Sequence, residues 1–293
     1  MESSVRHRLL LASAALLFST GGAALKAATL TGWQVAGFRS LVAAVVLLAV
    51  LPGTRRGWNW RMAPVVLAYA ATLVLFALAN RLTTSANAIF LQATAPIYVL
   101  LLGPLILKER VHRDDIVFIL CMGAGLGLFA TGHDRAVATA PNPPLGNVLA
   151  LGSGVAYAAM LTGLRWLSRQ KQGDLALATV AEGNLAAFLI ALPMALPVTH
   201  ISAADAAVVL YLGAAQIGLA YWCLTRGISG VPAFEATTIL QLEPAMNPVW
   251  TWLFHAERPN TWALAGGVVI VAATVVNTWV KSRRTAAKPL ASA

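Results

Sequence analysis

Residues 90–110 read FLQATAPIYVLLLGPLILKER and residues 238–258 read TILQLEPAMNPVWTWLFHAER. Both stretches are apolar and carry an early proline, Pro96 or Pro244, then a second one, Pro104 or Pro248. Both close on a charged pair, Glu109-Arg110 or Glu257-Arg258. The step from first proline to glutamate is the same in each copy (109 − 96 = 257 − 244 = 13). A proline inside an apolar helix removes one backbone hydrogen bond and clashes with the carbonyl four residues back, so it bends or loosens the helix. Two such helices in one chain, 244 − 96 = 148 residues apart, point to a duplicated membrane protein whose paired helices are weakened near their middles.

The composition agrees. The chain has 293 residues, 58% hydrophobic and 11% charged, with a mean hydropathy of +0.72. A soluble domain carries roughly 25% charged residues, so this exterior cannot be mostly water-facing. Apolar runs of the roughly 17–25 residues needed to cross a bilayer follow one another along the chain. They fall at about 9–25, 33–51, 63–80, 87–107, 116–131, 145–164, 175–197, 206–224, 231–254 and 261–280. The longest polar connection, 132–144, divides them into five and five. The expected fold is all-α and integral to the membrane: about ten transmembrane helices in two repeats, residues 9–132 and 145–281, with a basic tail over 282–293. An odd number of crossings per repeat makes the second repeat enter from the opposite side, so the repeats are inverted.

The net charge of +10 would suggest nucleic acid in a soluble protein. Here the basic residues lie between apolar runs, with no basic patch interleaved with aromatics. With both termini in the cytoplasm, all of the 21 lysines and arginines except Lys26, Arg39, Arg81, Arg135 and Arg258 fall at cytoplasmic ends and loops. That is the asymmetry of the positive-inside rule. Cys121 and Cys223 read as buried side chains. The five histidines are scattered over helix ends and loops, and no metal spacing, nucleophile–base arrangement or Walker motif occurs. The expected protein is therefore not an enzyme and has no cofactor.

Polar residues at membrane depth are the candidates for function, because each is costly if it faces lipid. Gln241 and Glu243 immediately precede Pro244, and Gln92 lies at similar depth in the first copy. Phe18, Phe76, Tyr157 and Tyr221 could form the apolar walls of a cavity. Pro96 and Pro244 are the hinge or kink candidates. Arg39 and Glu182 are the remaining intramembrane charges. Two readings stand for the charged and amide residues: they line a cavity, or they are structural glue, with Arg39 paired to Glu182 or Glu243. Gly123 and Gly127 have the spacing of a close helix–helix contact. The helices at 116–131 and 261–280 carry no deep ionisable residue and read as packing helices outside any cavity.

The paired Pro96-to-Glu109-Arg110 and Pro244-to-Glu257-Arg258 stretches, the five-plus-five helices and the Phe38-Arg39-Ser40 step resemble the drug/metabolite transporter superfamily in its EamA-type branch. Within that branch the chain is most similar to bacterial exporters of aromatic and other neutral amino acids. The resemblance implies a multi-pass protein of the cell inner membrane with cytoplasmic termini. It also implies a cavity between the halves, alternating access, export of small metabolites, and the lipid bilayer and an amino-acid substrate as partners. A monomer is the expected state. A drug or a nucleotide-type metabolite is the alternative substrate. The first helix has no carboxylate, unlike the small multidrug members of the superfamily, so proton exchange by that device is not expected.

Overall fold

The computed structural model describes residues 2–55, 58–108, 113–131, 136–168, 175–228, 239–240 and 242–286. Among these, extended pairing is limited to an isolated bridge between Val137 and Ala140. The helices are α1 (Glu2–Ser19), α2 (Gly21–Ala27), α3 (Gly32–Val50), α4 (Ala63–Leu82), α5 (Ser85–Gln92), α6 (Ala95–Leu102), α7 (Arg113–Thr131), α8 (Pro143–Ser168), α9 (Leu175–Ala195), α10 (Ala203–Leu210), α11 (Ala220–Ile228), α12 (Leu242–His255) and α13 (Thr261–Ala286). Wide i→i+5 turns over Gly103–Leu107 and Tyr211–Leu219 extend α6 and join α10 to α11.

Among the described residues, seven segments are long and apolar enough to cross a membrane: Val5–Ala27, Gly32–Val50, Trp60–Leu82, Ser85–Leu107, Pro143–Leu167, Ala178–Ala195 and Ala203–Leu224. At 1.5 Å per residue they span about 27–37 Å, the thickness of a hydrocarbon core. The shorter apolar helices Asp115–Leu128 and Thr261–Asn277 occupy the fifth and tenth places. The ninth belongs to α12, whose expected lead-in over 231–238 and at Gln241 lies outside the described residues. So do Glu109 and Arg110 of the first copy. Leu105, Leu120, Leu253 and Phe254 point outward, which is favourable only in lipid.

Much of the packing between helices recurs when each crossing is exchanged for the one five places along. α4 packs on α8, and its counterpart pair is α1 on α11. α5 and α6 pack on α8, matched by α12 on α1. α4 on α9 is matched by α3 against Tyr211–Leu219. The pairs α3 with α9 and α7 with α13 map onto themselves. That pattern is what two structurally equivalent repeats give. The repeats also end alike: among the described residues, Lys108 (φ 56°) and Ala256 (φ 52°) are the two non-glycine residues with left-handed backbone, and each stands immediately before a Glu-Arg pair in the sequence. The left-handed turn stops the helix abruptly and sets the direction of the chain that follows.

Several crossings are broken at mid-depth, and local chemistry explains each break. α5 ends at Gln92, where Thr94 donates its hydroxyl to the Leu91 carbonyl at 2.6 Å. Pro96 sits in the first turn of α6, where its missing N–H is no loss. Pro244 is the third residue of α12 as described, Leu242–His255. The first crossing breaks at Thr20 between α1 and α2, a feature that no proline announces. Thr20 Oγ1 donates to the Leu17 carbonyl at 2.7 Å and lies 2.7 Å from the Tyr211 hydroxyl. Glycine is needed next: a Cβ at Gly22 would stand 2.7 Å from Asn247 Oδ1 and 2.9 Å from Ser85 Oγ.

Two sequence expectations are corrected here. Gly123 and Gly127 touch nothing within 4 Å of a built Cβ, whereas one at Gly125 would lie 2.8 Å from Ile270 Cγ1. The close contact between α7 and α13 therefore runs through the glycine between the two expected ones. Those helices are also not confined to packing, since Phe118 of α7 and Asn277 of α13 reach the central cavity.

Candidate functional site

A cavity of about 520 Å³ opens between the two repeats. Phe18, Phe76, Gln92, Tyr157, Tyr221 and Glu243 all line it, as do Pro96, Pro244 and Arg39. These side chains come from α1, α3, α4, α5, α6, α8, α11 and α12, so both repeats contribute. Glu182 is not in the wall; it lies on α9, and its Oε2 makes no hydrogen bond. Gln241 lies outside the described residues.

The wall is mostly aromatic and aliphatic. Phe18 meets Tyr221 edge to face at 5.3 Å between ring centres, and Tyr221 lies 6.2 Å from Tyr69. Tyr69 is fully buried behind this layer and accepts a hydrogen bond from Asn184 Nδ2 at 3.1 Å. These contacts fix the orientation of Tyr221. Gln92 is also held: its amide nitrogen donates to Ser153 Oγ at 2.7 Å, and Ser153 Oγ donates to the Thr72 carbonyl at 3.1 Å. This chain of bonds links α5, α8 and α4, and it leaves Gln92 as a rigid wall. Gln216 joins the cavity beside the break in the first crossing, donating to the Phe18 carbonyl at 3.4 Å while its Oε1 has no partner.

Arg39 is 2% exposed. Its Nη2 donates to the Leu73 carbonyl at 3.0 Å, and its Nε has no hydrogen-bond partner. Of the two readings open for Arg39, the pairing with Glu182 or Glu243 is not formed. Among the described residues the ion pair is elsewhere, between Lys26 and Glu257, 2.9 Å apart, with side chains 2% and 3% exposed. Lys26 Nζ also donates to the Thr83 carbonyl at 2.9 Å and to that of Thr139. Glu257 Oε1 accepts the backbone N–H of Ser85 at 2.5 Å. That N–H belongs to the first turn of α5, where the helix dipole favours a carboxylate.

Further bonds surround this pair. Asn147 Oδ1 accepts from Thr83 Oγ1 at 2.7 Å and from Asn87 Nδ2 at 3.3 Å. His255 Nε2 lies 2.8 Å from the Ala23 carbonyl, and Arg81 Nη1 donates to the Ala28 carbonyl at 2.8 Å. One end of the bundle is thus tied shut across both repeats. The cavity extends the other way, past Val99, Leu164 and Leu224, toward the end that carries Lys108, Arg165 and Arg226.

Sequence reading missed the Lys26–Glu257 pair. The signal was present in half: Glu257 belongs to the repeated stretch and Lys26 is a lone charge at a helix exit. The pairing joins residues 231 positions apart (257 − 26), and no local pattern encodes it.

A solved structure described as "Crystal structure of protein" is similar to this chain with a TM-score of 0.64 at 16% identity, covering 95% of this chain and 98% of that one. At that identity the likeness concerns the fold alone. A comparison with curated proteins gave no match. The profile described as EamA-like transporter family matches twice, over residues 7–131 and 144–279. The two matches coincide with the two arms of the packing symmetry and together cover most of the chain, which belongs to the EamA-like transporter family.

Proposed function

We propose that the chain is a secondary transporter of the bacterial inner membrane that exports small metabolites, foremost aromatic and other neutral amino acids. The observation that carries this reading is the cavity. It is largely apolar and aromatic, with few polar groups, which suits a small substrate with an uncharged side chain. With both termini in the cytoplasm, as the basic loops favour, the tied end faces outward and the cavity leads inward. Alternating access then needs the Lys26–Glu257 end to open as the opposite end closes, with one repeat rocking against the other. The break before Pro96 divides the fourth crossing into two short pieces.

Efflux from intact cells tests the proposal. Cells producing the chain are loaded with a phenylalanine-containing dipeptide and phenylalanine release is followed. Faster release than from cells without the chain supports the reading. Equal release in cells that carry the protein in their membrane refutes it.

A further inference from the structure

We infer that Arg39 receives the carboxylate of the substrate and Glu243 its ammonium, so the cavity selects zwitterions over amines and over simple carboxylates. This rests on the amino-acid reading above and gives it a binding geometry. Arg39 is the first observation. A guanidinium offers five N–H donors in a planar fork. Here one bond goes to the Leu73 carbonyl, and Nε has none, although the residue is 2% exposed and lines the cavity. A buried cation without a carboxylate is costly. Neither Glu182 nor Glu243 makes an ion pair with it, and among the described residues a buried ion pair lies at the far end, between Lys26 and Glu257.

Glu243 is the second observation. It lines the same cavity from α12, while Arg39 lines it from α3. The two opposite charges thus face one space without touching. An α-amino acid carries its own two charges on two groups bonded to one carbon and can sit between them, leaving its side chain to the aromatic wall of Phe18 and Tyr221. A carboxylate in the guanidinium fork forms charge-assisted and potentially bidentate bonds. An amine alone leaves Arg39 unpaired, and a carboxylate alone leaves Glu243 unpaired. In both cases an unmatched buried charge disfavours the complex.

The test uses the full-length protein in proteoliposomes and in detergent. Three probes share one ring: phenylalanine, 3-phenylpropionate (no amine) and phenethylamine (no carboxylate). Competition against labelled phenylalanine and ligand-induced melting shifts are read for the wild type and for Arg39→Gln, Arg39→Lys and Glu243→Gln. The wild type is expected to bind phenylalanine at least about tenfold more tightly than either analogue, one charge-assisted bond apiece. Arg39→Gln is expected to abolish the shift with 3-phenylpropionate and keep that with phenethylamine. Glu243→Gln is expected to do the reverse, and Arg39→Lys to retain part of the 3-phenylpropionate shift.

Equal binding of 3-phenylpropionate by the wild type and Arg39→Gln overturns the assignment. So does a wild type that binds phenethylamine as tightly as phenylalanine, a result that needs no variant to fold. Should phenylalanine fail to be transported while 3-phenylpropionate still binds in an Arg39-dependent way, the amino-acid reading falls and the role of Arg39 as a carboxylate receptor stands.

Discussion

Replacing Lys26 with Met should open the tied end of the bundle. The ammonium of Lys26 neutralises Glu257 in the ion pair, and both side chains are almost fully enclosed. Removing one partner of a buried pair costs about 3–5 kcal/mol, because the other charge is left uncompensated. That cost falls only on the conformer in which this end is shut. In a conformer that exposes Glu257 to water the carboxylate is hydrated. The equilibrium therefore shifts toward the open form by about two to three and a half powers of ten, at 1.4 kcal/mol for each.

The readout is a cysteine introduced at position 85, in a background with Cys121 and Cys223 replaced by serine. Ser85 is fully buried beside Glu257. The Lys26→Met background should make that cysteine react rapidly with a membrane-impermeant thiol reagent, and the parent should protect it. A double variant, Lys26→Met with Glu257→Leu, removes both charges and should restore protection. Protection unchanged by Lys26→Met, or exposure equal in the single and double variants, would refute the argument that this pair holds the end closed.

Other predictions follow from single positions. Gly125→Leu should destabilise the contact of α7 with α13 by about 1–3 kcal/mol through overpacking, seen as a lower melting temperature in detergent. Gly127→Ala should raise the melting temperature slightly, since a glycine inside a helix costs about 0.5–1 kcal/mol relative to alanine and no neighbour opposes the added methyl group. Ala256→Gly should stabilise the left-handed turn at φ 52°, and Ala256→Val should do the opposite; equal melting curves would remove the strain argument. Glu243→Gln should change transport or its pH dependence while leaving membrane expression intact. Transport unchanged across pH would take Glu243 out of the mechanism.

The paired stretches around Pro96 and Pro244 were legible because an apolar background makes every proline and every charge conspicuous. The same contrast brought out Gln92, Glu243 and Arg39, each of which faces the cavity. Faces of helices were not legible in the same way. Lipid and protein interior are equally apolar, so nothing in the pattern of α7 distinguishes Gly125, which is packed, from Gly123 and Gly127, which are not. The same ambiguity concealed Phe118 and Asn277 as cavity residues. The break at Thr20 was hidden for another reason. It arises from a threonine hydroxyl taking a backbone carbonyl and from two glycines admitting Gln216 and Asn247, and sequence shows neither neighbour. Charge pairing was the least legible of all. Pairing of Arg39 with Glu182 or Glu243 was one of two open readings, yet the pair found among the described residues joins the end of the first crossing to the end of the ninth.

Counterflow in proteoliposomes tests the central claim most directly. Vesicles are preloaded with unlabelled phenylalanine, methionine or threonine and given a trace of the same labelled amino acid outside. Exchange through one alternating site predicts transient, protein-dependent accumulation of label for at least one of them, with and without a pH gradient. No accumulation for any of the three, in vesicles whose protein melts cooperatively, would contradict the account of this cavity as an amino-acid exporter's site.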